Sequence, residues 1–171
     1  MRTSLLLTVV GADRTGLVES LARRIAELGG NWEQARLAHL GGQFAGIVLV
    51  TIDQARADEL VAALRGLGGA GLQVTAHPAA GKLAAATGTR VRIEVTGDDR
   101  PGIVREVSRV LAERGVNIEE LESAVASAPM SGEALFRARA TLLLPPTVAL
   151  ADLRGALEAL ASELMIDLVA D

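Results

Sequence analysis

Cysteine is absent from the 171-residue sequence, which excludes disulfides, cysteine-ligated zinc and thiol catalysis. Aromatic residues are almost absent too: there is no tyrosine, and the sequence has one tryptophan and two phenylalanines, Trp32, Phe44 and Phe136. Such a chain offers few side chains on which nucleic-acid bases could stack. Its core must be built mainly from alanine, valine, leucine and isoleucine.

Basic clusters and long hydrophobic runs are also missing. The net charge at pH 7 is −4, and an acidic chain lacks the attraction that drives binding to phosphate backbones. We therefore expect no direct contact with nucleic acid. The apolar run at residues 5–10 is too short for a signal peptide or a membrane span. We expect a cytoplasmic protein that does not enter a membrane.

An internal repeat is the main feature of the chain, and repeats decide the fold class. Glu27 and Asn31 reappear in the second half as Glu113 and Asn117, with the spacing from the motif before them unchanged. That motif occurs once in each half, as Gly11-Ala12-Asp13-Arg14-Thr15-Gly16-Leu17-Val18 and as Gly97-Asp98-Asp99-Arg100-Pro101-Gly102-Ile103-Val104. The two halves are therefore copies of one module.

Hydrophobic periodicity predicts the same order of elements in each copy: strand, helix, strand, strand, helix, strand. In the first copy, residues 5–10 form the first strand and residues 15–28 the first helix, which Gly29 ends in a left-handed conformation. A bulge is expected early in the second strand, near Trp32. The second helix is predicted at residues 55–67.

The second copy repeats this pattern with a longer hairpin at residues 126–132 and a second helix at residues 149–163. Pro101 suits the first turn of its first helix. The order of elements is the split-βαβ arrangement. We therefore expect an α+β protein of two ferredoxin-like βαββαβ modules in tandem, each a four-stranded antiparallel sheet with two helices on one face. The predicted domains are module one at 1–78, a linker at 79–88 and module two at 89–171.

The loop between the first strand and the first helix carries chemistry suited to a zwitterion. Backbone N–H groups at a helix N-terminus suit a carboxylate. Asp13 and Asp99 supply a negative charge that suits an ammonium group. Asn31 and Asn117, after the helix, offer both a donor and an acceptor. An amino acid needs all of these groups close together.

The motif and the later asparagine resemble the ACT domain, a regulatory module that binds amino acids and other small metabolites. The resemblance covers both halves outside the linker, and two ACT modules standing alone resemble the glycine cleavage system transcriptional repressor group. In amino-acid-binding ACT proteins, the loop and the asparagine act across an interface between modules. The resemblance thus implies ligand-binding roles for Gly11, Asp13, Asn31, Gly97, Asp99 and Asn117.

Structural roles compete with these assignments. Asp13 and Asp99 stand where an acidic residue stabilises a helix start as a cap or through the helix dipole. Asn31 could serve only the turn that follows a glycine. The same holds for Asn117. We expect Gly16 and Gly102 to permit close approach of helix and strand. We expect Arg14 and Arg100 to be solvated or paired with the neighbouring carboxylates.

Catalytic and metal sites are not expected. His39 and His77 are the only histidines, and neither belongs to a nucleophile–base pattern or a metal-ligand spacing. We expect no cofactor. The first hypothesis is a non-enzymatic sensor of a small amino acid, glycine or serine-like, that contacts a transcription factor. Alternatives are a regulatory subunit of a metabolic enzyme and a scaffold with vestigial ligand sites. A homodimer through ACT–ACT contacts fits each of these.

Overall fold

The computed structural model describes residues 1–79, 87–127, 134–160 and 164–170. It divides into two compact units, Met1–Ala84 and Ala85–Asp171. Most of the predicted linker, most of the predicted hairpin insertion and the predicted end of the last helix at Glu163 lie outside the described residues. Within those residues, no helix is both long and apolar enough to cross a membrane.

Module one contains four strands and two helices in the predicted order. Short 3-10 turns at Gln54–Arg56 and Gly66–Ala70 flank its second helix. The elements are β1 (Arg2–Ala12), α1 (Leu17–Glu27), β2 (Asn31–Leu40), β3 (Gln43–Asp53), α2 (Ala57–Arg65) and β4 (Leu72–Pro78).

Module two repeats that order and the same sheet topology. Its elements are β5 (Thr89–Asp98), α3 (Ile103–Glu113), β6 (Asn117–Ser127), β7 (Ala134–Leu144), α4 (Leu150–Glu158) and β8 (Leu164–Ala170). The strand orders are β2-β3-β1-β4 and β6-β7-β5-β8, with every neighbouring pair antiparallel. The predicted α+β class with two ferredoxin-like modules is confirmed.

Each core forms where the helices cover one face of the sheet. Burial alternates along the central strands, so that Leu5, Leu7 and Val9 are buried in β1 and their neighbours are more exposed. The buried stripe of α1 (Leu17, Leu21 and Ile25) belongs to the same core cluster. Module two has its own equivalent cluster, which combines β5 residues with those of α3 and α4. Each helix pair thus packs on one face of its own sheet.

Two local predictions are confirmed. The pairing of β2 with β3 shifts register between Trp32 and Gln34, and β6 shifts at the same place, between Ile118 and Glu120. A bulge therefore lies early in the second strand of both modules. Gly29 has a φ of 75°, the left-handed conformation expected after a helix.

The predicted start of the first helix was wrong. Gly16 and Gly102 are the N-cap residues, with φ of 91° and 100°. Helix α1 therefore begins at Leu17, two residues after the predicted start at residue 15, and α3 begins at Ile103. Pro101 therefore precedes the cap and does not lie in the first turn. A side chain at Gly16 would meet no atom within 4 Å, so close helix–strand approach does not explain this glycine. The left-handed backbone conformation of Gly16 explains why glycine occupies this position.

Gly11, in contrast, is required by close packing. It is the second-last residue of β1, beside the turn before β4, and a Cβ at this position would lie 2.2 Å from the carbonyl oxygen of Gly71. Both partners are backbone, so neither can move aside as a flexible side chain would. This gives Gly11 a structural role that is independent of any ligand.

We predict that Gly11→Ala lowers the free energy of unfolding by about 1–3 kcal/mol, because the added methyl group overpacks this contact. Urea denaturation measures the change. Gly68→Ala is the matched control, since a Cβ at Gly68 would have nothing within 4 Å and should change stability by less than about 0.5 kcal/mol. Equal stability of Gly11→Ala and the wild type would contradict the close packing.

Candidate functional site

The strand-to-helix loops lie at one end of each sheet and are tied to a neighbouring hairpin. The backbone N–H of Asp13 donates to the carbonyl oxygen of Gly42 at 3.0 Å. In module two the N–H of Asp99 donates to the carbonyl oxygen of Ala134 at 2.9 Å. Both aspartates are therefore held in equivalent positions by their own backbones, and their side chains take no part in this anchoring.

The helix starts carry unsatisfied donors. The first hydrogen bond within α1 runs from the N–H of Ser20 to Gly16, and the first within α3 from the N–H of Glu106 to Gly102. The three N–H groups before each of these have no partner within the helix. The N-cap residues are Gly16 and Gly102, which have no side chain to cap the helix, and the helix-dipole role expected of Asp13 and Asp99 stays a prediction. Each helix start therefore presents backbone N–H groups of the kind that can donate to an anion.

Asp13 faces a histidine that the sequence did not associate with it. The Nε2 atom of His39, near the end of β2, lies 3.7 Å from a carboxylate oxygen of Asp13, and both side chains are about half exposed. In module two Val125 occupies the position of His39, because the two residues pair with the equivalent Phe136 and Phe44. The two aspartates thus have different surroundings. The strand register shows this difference, and the motif by itself does not.

The arginines of the two motifs also differ. Arg100 forms a two-bond ion pair with Glu106 in the first turn of α3, at 2.9 and 2.7 Å. The partner is therefore a carboxylate of the helix and not the neighbouring Asp99. Arg14 has serine at the corresponding helix position and donates instead to the carbonyl oxygen of Ala70. Hydrogen bonds from Arg100 lower the pKa of Glu106, and partial desolvation opposes the shift.

The asparagines lie at the opposite end of the sheet from the loops. Asn31 pairs with Thr51, which pairs with Ser4 near the start of β1, whereas the loop follows Ala12 at its end. Eight residues of strand span roughly 27 Å at the usual rise of a β-strand. Asn117 has the equivalent position in module two. Within one module, the aspartate and the asparagine cannot touch the same amino acid.

The environment of Asn31 is a small polar cluster. Its amide donates to Glu33 at 2.8 Å, and the hydroxyl of Thr51 donates to the same carboxylate at 2.6 Å. Both bonds lower the pKa of Glu33, that from Thr51 more strongly. In module two the corresponding Glu119 is paired with Arg90 at 2.7 Å, which lowers its pKa. In the described residues, no three histidine, aspartate or glutamate side chains are grouped to hold a metal ion.

We predict that Glu106→Gln lowers the melting temperature at pH 7, because it removes the carboxylate that pairs with Arg100. The pKa of Glu106 is lowered in the folded state, so its stabilisation is present above the unfolded pKa and is lost as the pH falls through the folded pKa. The difference between the proteins should therefore shrink as the pH falls below about 4.3, the ordinary pKa of a glutamate side chain. Differential scanning fluorimetry across this range measures it.

The control for this series is Glu113→Gln, which breaks the more exposed pair of Arg109 and Glu113 on the same helix. Exposed helix pairs contribute little. An equal or larger loss of melting temperature in Glu113→Gln would contradict the role given to the Arg100–Glu106 pair.

Comparison with known proteins assigns both modules to one family. Models of the ACT domain match residues 3–76 and residues 91–162. The chain is 29% identical over 167 residues to the glycine cleavage system transcriptional repressor of Escherichia coli (strain K12), with 94% of this chain and 85% of the relative covered. The protein of the same name from Shigella flexneri matches equally.

Two crystal structures resemble the chain over its full length. An unknown protein from Galdieria sulphuraria is 31% identical, with a TM-score of 0.88 over 100% of this chain and 99% of that one. A structure described as a glycine cleavage system transcriptional repressor has a TM-score of 0.72 with the same coverage; at 19% identity it supports the fold alone. The chain belongs to the ACT-domain family, with one ACT domain in each half.

Proposed function

We propose that the chain is a non-enzymatic regulator that senses a small amino acid and passes the signal to a transcription factor by protein–protein contact. The observation that carries the proposal is the pairing, in each ACT module, of unsatisfied helix-start N–H groups with a nearby aspartate. The similarity to a transcriptional repressor over 94% of the chain supports the regulatory role. The net charge of −4 favours contact with a protein rather than with DNA.

The ligand carboxylate would accept hydrogen bonds from the N–H groups of residues 11–16 or 97–102 and of the first helical turn that follows. Its ammonium group would lie beside Asp13 or Asp99. An asparagine in the same site must come from a different module, since each module's own asparagine is at the far end of its sheet. A homodimer formed through ACT–ACT contacts would supply Asn31 or Asn117 in this way.

We place the working site in module two. Asp13 already faces His39, which competes with a ligand ammonium group when it is protonated. Asp99 has Val125 at the corresponding strand position. The ligand we propose is a small amino acid, and glycine and serine are the first to test because the repressor relative is named for glycine cleavage.

A second candidate function is a regulatory subunit that confers feedback control on a metabolic enzyme. The same ACT modules and ligand chemistry would serve it, and only the partner differs. A pull-down from native extract, with and without glycine, distinguishes the two: capture of a transcription factor supports the first function, and capture of an enzyme supports the second.

We predict that Asp99→Asn weakens amino-acid binding roughly tenfold or more, because a charge-assisted hydrogen bond contributes about 1.5–3 kcal/mol. The melting temperature should not change, because asparagine is also a favourable residue near a helix start. Calorimetric titration with glycine, serine and alanine measures the affinity.

Asp13→Asn is the matched control in module one and should leave the module-two affinity unchanged. Equal binding by Asp99→Asn and wild type would remove Asp99 from the site. Failure of the wild type to bind any of these three amino acids would instead favour a scaffold with vestigial sites.

A further inference from the structure

The sheet of module one has an open face, the side turned away from α1 and α2, and the centre of this face is uncharged. Side chains alternate along β1 and β3, so the residues between the buried ones point to the open face. Val10 and Ile47 are each 43% exposed there. The two central strands contribute six uncharged residues to the face: Leu6, Thr8, Val10, Ala45, Ile47 and Leu49.

The open face of module two is charged at the same positions. The register of β5 with β7 repeats that of β1 with β3, so each residue of the face has a counterpart. Thr8 corresponds to Glu94 and Ile47 to Arg139, and these two charged side chains form an exposed ion pair at 2.9 Å. Two further charges replace apolar residues, Arg92 for Leu6 and Arg137 for Ala45. Module two thus presents water with a charged face, whereas the exposed apolar face of module one is of the kind that marks an interaction site.

The partner of this face must itself be uncharged at its centre, because an unpaired charge taken out of water is strongly unfavourable. The open face of module two does not meet this condition, and the open face of module one in a second copy does. The edge strands β2 and β4 contribute Arg36 and His77 to the rim of the face. An apolar centre with a polar rim is the usual anatomy of a protein interface.

The size of the open face suits a reversible contact between copies. The four strands share seven register rows, those of residues 5–11 of β1. With strands about 4.8 Å apart and a rise of about 3.4 Å per residue, these rows span roughly 450 Å². Two copies packed face to face would therefore bury roughly 900 Å², which is in the range of weak and transient complexes.

We propose that the open face of module one binds the same face of a second copy, so that two sheets pack face to face in an isologous dimer. The same patch serves both copies in such a contact, and the assembly closes as a dimer. This contact uses the broad side of the sheet, whereas an exchange of asparagines between ligand sites would use its ends. It needs no ligand, so its failure would leave the proposed function standing.

Sedimentation velocity of the full chain over a range of concentrations tests the proposal. We expect the wild type to approach twice the chain mass of 17.7 kDa as the concentration rises. Ile47→Arg places a charge at the centre of the face and should weaken the dimer at least tenfold. A wild type that is monomeric at every concentration would overturn the proposal.

Val18→Arg is the matched control, because it adds the same charge at a residue of similar exposure, 45%, on α1. We expect this variant to dimerise as the wild type does. Loss of the dimer in Val18→Arg, with the dimer intact in Ile47→Arg, would place the contact on the helix side of the sheet and contradict the proposal.

The double variant Thr8→Glu/Ile47→Arg keeps the test decisive if Ile47→Arg is unstable. Thr8 pairs with Ile47 as Glu94 pairs with Arg139, so the double variant reproduces the exposed ion pair of module two. A monomer with a native melting temperature supports the proposal, and a dimer as tight as that of the wild type contradicts it. If the wild type is monomeric and the double variant loses capture of a transcription factor, the face belongs to that other protein and the proposal is wrong.

Discussion

The antiparallel pairing of the first strand of each module with both of its neighbours is the constraint on which the rest of the structure depends. Eleven register pairs join β1 to β3 and seven join it to β4. This ladder places the strand-to-helix loop at one end of the sheet and Asn31 at the other. It also brings His39 to Asp13 and Gly71 to Gly11. The strand register therefore decides which side chains of one module could contact the same ligand.

Duplication has kept this backbone and changed the side chains around it. The bulge in the second strand and the left-handed glycine before the first helix occur in both modules. The surroundings of the loop do not: Asp13 has a histidine neighbour, and module two has the Arg100–Glu106 pair beside Asp99. A shared fold does not imply shared function. The two ACT domains therefore surround their strand-to-helix loops with different side chains.

The fold could be predicted from sequence because it depends on local periodicity, which the duplication presents twice. The bulge near Trp32 was predictable from a break in alternation, and Gly29 from its place after a helix. The contacts of the strand-to-helix loop could not be predicted in the same way. The Asp13–His39 contact joins residues distant in sequence, and the separation of Asn31 from the loop appears only when strands are aligned. The helix start was misplaced because Gly16 adopts a left-handed conformation that propensity does not specify.

The account's central claim is that an amino acid binds at the start of α3. Amide-resolved NMR of the full chain during titrations with glycine and with serine tests it most directly, because each N–H group reports on its own contacts. We expect the largest and saturable shifts at the amides of Ile103, Val104 and Arg105, which have no partner within the helix. Saturable shifts confined to other regions, with these three amides unchanged, would contradict the claim.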